Sequence, residues 1–191
     1  MNEVTDTKIQ ETSDSRKRRE NFETFANEFK NESDRAAVIL GASKLDQLLG
    51  MLLEKYLIPC PNSTDQLFSN NGPLGTFSSK IDLCHRLGLI DSEFTKSIHL
   101  IRRLRNSFAH EIYGAKLSEG SHKDRVRSLT APFENHDWYS FLKTNYFKNI
   151  DEQRADFSSA LGLMIVRLDV AIDNIKPVSD KDAYSVTASI T

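Results

Sequence analysis

Apolar residues recur along most of this chain at intervals of three and four, the period of a helix with one buried face. Phe22, Phe25 and Phe29 set the first stripe. The basic cluster Ser15-Arg16-Lys17-Arg18-Arg19 precedes it and reads either as a phosphate contact or as the solvated face of that helix. Residues 31–35 interrupt the pattern with side chains suited to capping, because a Ser or Asp oxygen can accept from the free amides of a first turn. The densest stripe follows. Ala37, Val38, Leu40, Gly41, Leu45, Leu48, Leu49, Leu52, Leu53 and Tyr56 predict a central core helix over about 34–57, closed by Pro59 and Pro61.

Asn70-Asn71-Gly72-Pro73-Leu74-Gly75 then predicts a specified turn, with positive backbone dihedrals expected at Gly72 and Gly75. Thr76 or Ser78 can cap a helix carrying Phe77, Ile81, Cys84 and Leu87, which Gly88 should end. Asp91 caps the next, whose core stripe is Ile98, Ile101, Leu104, Phe108 and Ile112. Residues 124–129 and an aromatic segment from Phe133 to Phe147 follow, the aromatics reading as packing. A nearly all-round apolar helix spans 151–175 and stops at Lys176-Pro177. No strand alternation or internal repeat intervenes, so the expected architecture is all-α: a single-domain bundle of about six helices over 15–176, with flexible ends at 1–14 and 177–191.

Composition narrows the function classes. The 191 residues carry 25 basic and 27 acidic side chains, a net charge of -2, so nucleic acid would have to be held through local basic patches. Cys60 and Cys84 lack metal-ligand spacing and are expected to be reduced thiols of a cytoplasmic protein. No leader-like apolar segment opens the chain and no run approaches the roughly 20 residues of a membrane span, so no membrane association is expected. The five histidines, His85, His99, His110, His122 and His136, form no ligand pair with a third donor, and no glycine-rich phosphate loop occurs; no metal and no cofactor are expected. Surplus apolar face on the two longest helices predicts a homodimer.

Candidate chemistry concentrates in Leu100-Ile101-Arg102-Arg103-Leu104-Arg105-Asn106-Ser107-Phe108-Ala109-His110. On an ideal helix Asn106 and His110 share a face, whereas Arg105 borders the core and lies roughly 140° from His110. The structural reading has Arg105 in a buried ion pair with Glu32, Asp34 or Asp46 and His110 hydrogen-bonded at the helix end. Arg105-Asn106-x-x-x-His110 also resembles the Arg-x4-6-His motif of the HEPN superfamily of helical bundles. For its ribonuclease members that resemblance implies Arg105 as a phosphate stabiliser and His110 as a proton-transfer or orienting group at a dimer interface, with Asn106 beside them. The implied reaction is metal-independent cleavage through the RNA 2′-hydroxyl.

A broader resemblance covers about residues 22–115. Glu32-Ser33-Asp34-Arg35-Ala36-Ala37, Asn71-Gly72-Pro73-Leu74-Gly75-Thr76-Phe77-Ser78, Leu87-Gly88-Leu89-Ile90 and the Ile101–His110 stretch resemble, in order, the bacterial mannitol operon repressor family. This implies a helical transcription regulator without a helix-turn-helix, acting through a dimer or a protein partner. Glu32, Asp34, Arg35, Asn71, Arg102 and Arg103 on these blocks, with Lys80 just after the second, are the binding candidates. The regulator is the preferred expectation; the alternative is a HEPN-type metal-independent ribonuclease or a nucleotide- or RNA-binding protein, and a non-enzyme is favoured over a HEPN-like endoribonuclease.

Overall fold

A computed structural model describes residues 13–62, 64–111 and 113–179. The expected arm at 1–12, Ile112 and the last twelve residues of the expected tail lie outside the described residues, whereas Ser13 and Asp14 already belong to the first helix. Seven α-helices follow one another: α1 Ser13–Phe29, α2 Asp34–Tyr56, α3 Phe77–Arg86, α4 Ser92–His110, α5 Gly120–Thr130, α6 Asp137–Asn145 and α7 Glu152–Asn174. The described residues contain no strand, so the chain is an all-α single-domain bundle.

α2 and α7 form the centre of the bundle. α4 packs on α2, α3 bridges that pair, α5 joins α4 to α7, and α1 and α6 lie against α7. Most of the α2 stripe is enclosed, with Ala37, Val38, Leu45, Leu49, Leu52 and Leu53 at 0% exposure, but Leu40, expected in it, is exposed and Tyr56 is half-buried. By length and composition α2 could cross a membrane, contrary to the expectation that no such run exists, yet 56% of that window is buried inside the bundle. The seventh helix arises where the chain beyond Ser118 divides. Pro132 sits in a 3-10 turn over Ala131–Phe133, and His136 then starts α6 by accepting at Nδ1 from the Trp138 amide. The expected tail begins against the core, its Val178 amide donating to the Tyr56 carbonyl at 2.8 Å.

The caps follow the predicted chemistry. Ser33, Thr76, Asp91 and Asp151 each accept a first-turn amide of α2, α3, α4 and α7. Gly88 ends α3 at φ 70°, with Leu89 donating to Cys84. Gly72 and Gly75 do not have positive φ. They are required for close approach instead: an added Cβ would lie 2.1 Å from the Gln66 carbonyl oxygen at Gly72 and 2.5 Å from that of Ser69 at Gly75. The turn is thus drawn tight on itself, and the Leu74 amide closes it on the Leu67 carbonyl at 2.8 Å. Both cysteines are free; burial pushes the Cys84 thiol up to about 12, while Cys60 is exposed.

Candidate functional site

The sequence-predicted site residues separate into two regions. The first closes the N-terminus of α2. The Asp34 carboxylate accepts from the Leu117 amide at 2.8 Å and pairs with Arg154 at 3.3 Å. Arg154, only 3% exposed, also donates to the carbonyls of Phe29 and Glu32 and to Ser158 Oγ, with its guanidinium 5.0 Å from the centre of the Phe29 ring. Arg35 donates to the carbonyls of Phe108 and Glu111, where α4 runs out of its own amide donors. Asp34 and Arg35 therefore serve the docking of helices, and Glu32 contributes its carbonyl while its side chain is exposed. Arg154 carries no local signal of its role, because charged residues are common in a first helical turn and its carboxylate and carbonyl partners lie over a hundred positions away.

A second closure lies beside it. The buried His122 ring packs 4.5 Å from Phe108 and has the Lys116 carbonyl 3.1 Å from Nδ1. Its Nε2 is 2.9 Å from Ser107 Oγ and 3.1 Å from Glu111 Oε1, and Ser107 Oγ also donates to Glu111 at 3.0 Å. A carbonyl only accepts, so Nδ1 carries the hydrogen that faces Lys116. This cluster fastens the start of α5 to the end of α4; Ser107 is engaged with His122, not with His110.

The second region is an open cleft of about 360 Å³ where α2, the entry to α3 and α4 meet. Ala42, Ser43 and Asp46 line it from α2, and Gly75 to Ser78 line it from the turn and the first residues of α3. Arg102, Arg105 and Asn106, at i, i+3 and i+4 on α4, complete the wall. Lys80 reaches across from α3 to pair with Asp46 at 2.8 Å. Arg105 is exposed and donates to Asn106 Oδ1 at 3.2 Å, which corrects both the expectation that it borders the core and the expectation of a buried ion pair. Its anticipated acidic partners are committed elsewhere, Asp34 to Arg154 and Asp46 to Lys80.

Arg102 is half-buried, and its Nε is shielded from solvent without a hydrogen-bond partner. Nearby, His99 sits 3.5 Å from Asp82. Burial holds the His99 imidazole below its ordinary value, opposed by Asp82 and reinforced by the positive charges of Arg102 and Arg103. His110 does not line the cleft: it is exposed at the last turn of α4 and has no hydrogen-bond partner among the described residues, so it does not cap the helix. Arg103 and Asn71 are exposed and also lie outside the cleft. Ser43, Thr76 and Ser78 enter it without having been expected there as site residues. Their only sequence signal is a hydroxyl beside a cap or on the helix's polar edge, which many solvated residues share. In the basic cluster, Arg16 and Arg19 take the solvated-face reading, paired to Glu20 at 3.0 Å and to Glu23 at 3.8 Å.

Fold and site together define a class: an all-α single-domain bundle whose central pair of helices is pinned by buried charge at one end and opens into a charged cleft along its flank. No family model and no curated protein sequence matches the chain. Among solved structures, it is similar in fold to a chain of "X-ray structure of the MtlR-HPr complex from Escherichia coli", with a TM-score of 0.53 and 20% identity over 80% of this chain and 98% of that one. At that identity the similarity concerns the fold.

Proposed function

We propose that this protein is a cytoplasmic, dimeric transcription regulator of the mannitol operon repressor type, working through a protein partner and not by reading DNA itself. The observation that carries the reading is the fold shared, over nearly the whole of the other chain, with a structure solved as a complex with HPr. The four sequence blocks support it from the other side, since they resemble the mannitol operon repressor family. Charge argues against direct DNA recognition: the net charge is -2, and in the basic cluster ahead of Phe22 two arginines are paired, Arg16 with Glu20 and Arg19 with Glu23. Exposed aromatics on α6, Trp138 at 55% and Phe141 at 45%, are residue types that anchor protein interfaces. Calorimetric titration of the full chain with HPr from the same cell is expected to show saturable binding. An absence of binding across the micromolar range would overturn the partner assignment, and sequence-selective retardation of mannitol operator DNA by the protein alone would overturn the indirect mode.

The alternative is a HEPN-type ribonuclease, favoured by one observation: Arg105 and Asn106 touch and face an open cleft. His110 stands outside that cleft, so proton transfer there requires a histidine from a second copy. Metal-free RNA cleavage that disappears in His110→Ala would establish this reading, and cleavage retained in that variant would refute its assigned chemistry.

A further inference from the structure

We infer that the cleft between α2, α3 and α4 binds a small organic phosphate, held by Arg102 and Arg105 and by the hydroxyls of Ser43, Thr76 and Ser78. Charge carries the first step. Asp46 is the one carboxylate on the described wall, and Lys80 already neutralises it at 2.8 Å. Arg102 and Arg105 have no carboxylate partner among the described residues, so the cleft keeps an excess of positive charge in a protein whose net charge is -2. Arg102 lines the same wall and is half-buried, and no acidic side chain among the described residues pairs with it. A partly desolvated guanidinium without a counter-charge is costly, and an anion in the cleft would supply that charge.

The geometry of the donors selects the anion. Guanidinium groups present parallel N–H donors that match a phosphate, and hydroxyls complete such a shell at its remaining oxygens. Thr76 Oγ1 caps the Ser79 amide, which leaves the Phe77 and Ser78 amides of the first turn of α3 without a partner at the mouth of the same cleft. Both other polar groups on the wall suit the organic part. Lys80 uses Asp46 Oδ1, so Oδ2 can accept from a ligand hydroxyl, and the Asn106 amide can donate to one. A volume of about 360 Å³ lies at the small end of ligand sites and suits a phosphate with a few attached carbons.

Isothermal titration of the intact protein with glycerol 3-phosphate, inorganic phosphate and glycerol tests this at physiological ionic strength. Saturable one-to-one binding is expected for glycerol 3-phosphate, weaker binding for inorganic phosphate and none for glycerol. Arg105→Gln, an exposed substitution that spares the core, and Arg102→Gln should each weaken glycerol 3-phosphate by at least about tenfold, in line with the loss of a charged hydrogen bond. Arg103→Gln, on the same helix but outside the cleft, should leave affinity unchanged. The proposal falls if neither phosphate binds saturably, if Arg105→Gln binds as the parent does, or if Arg103→Gln weakens binding equally, which would mean unspecific attraction to a basic helix. HPr titration is a separate readout, so loss of either result leaves the other interpretable.

Discussion

Two charged regions lie along the antiparallel pair α2 and α4, and they treat their charges in opposite ways. Around Asp34, Arg35 and Arg154 every charged group meets a carbonyl, an amide or an opposite charge of the chain itself. In the cleft, Asp46 and Lys80 satisfy each other, while Arg105 is exposed and bonded only to the Asn106 amide, and Arg102 has no acidic partner among the described residues. Ion pairs taken out of water gain little net stability, but removing one partner strands the other, so the first region specifies how the helices dock. The second region leaves donors for something outside the chain. Proximity of arginine to the centre of a bundle thus says nothing about its role until its acceptors are counted.

The comparison can be broken most severely at Arg154. Arg154→Met strands Asp34 and the carbonyls of Phe29 and Glu32. It should cost about 3–5 kcal/mol, seen as a lower urea midpoint at unchanged slope. A loss below about 1 kcal/mol would show that the closed cluster does not hold the helices together. Next comes Gly72→Ala, whose Cβ would meet the backbone oxygens of Gln66 at 2.1 Å and Leu67 at 2.7 Å. Thermal unfolding should report roughly 1–3 kcal/mol of destabilisation from this overpacking. Thr76→Ala removes the α3 cap at the border of the cleft and should cost about 1 kcal/mol in the same assay; Ser at this position should restore most of it. The smallest effect belongs to the open region: Arg105→Gln should change stability by no more than about 0.5 kcal/mol. An exposed arginine that proved as costly as Arg154 would erase the distinction between the two regions.

Much of the fold was legible because caps and stripes are local. Ser33, Thr76 and Asp91 were readable as first-turn acceptors, and Leu45, Leu49 and Leu53 repeat at the helical period. The glycines of the 70–75 turn illustrate the limit. Their presence signalled a tight conformation, but the reason is the carbonyl oxygens of residues 66–70 folding over them, not a left-handed backbone. The division of 120–147 into two helices was obscured because α5 is polar on most of its surface and starts with a glycine.

The candidate site was less legible. The helical wheel put Asn106 with His110 and set Arg105 apart, whereas the cleft gathers Arg102, Arg105 and Asn106 and leaves His110 outside. A wheel orders side chains around one axis; which sector becomes a cleft depends on where neighbouring helices stop, and here α3 begins at Phe77 and leaves the flank of α4 open beside Ser43 and Asp46.

By itself the sequence determined the helical class, the starts of the principal helices and the apolar faces they bury, since each depends on periodicity and on contacts within a turn. Only the tertiary structure decided which charges are spent inside the fold. Asp34 and Arg154 stand 120 positions apart, and Asp46 and Lys80 stand 34 apart, so no local pattern pairs them. Those pairings, made when the helices pack, are what leave Arg102 and Arg105 facing an open cleft.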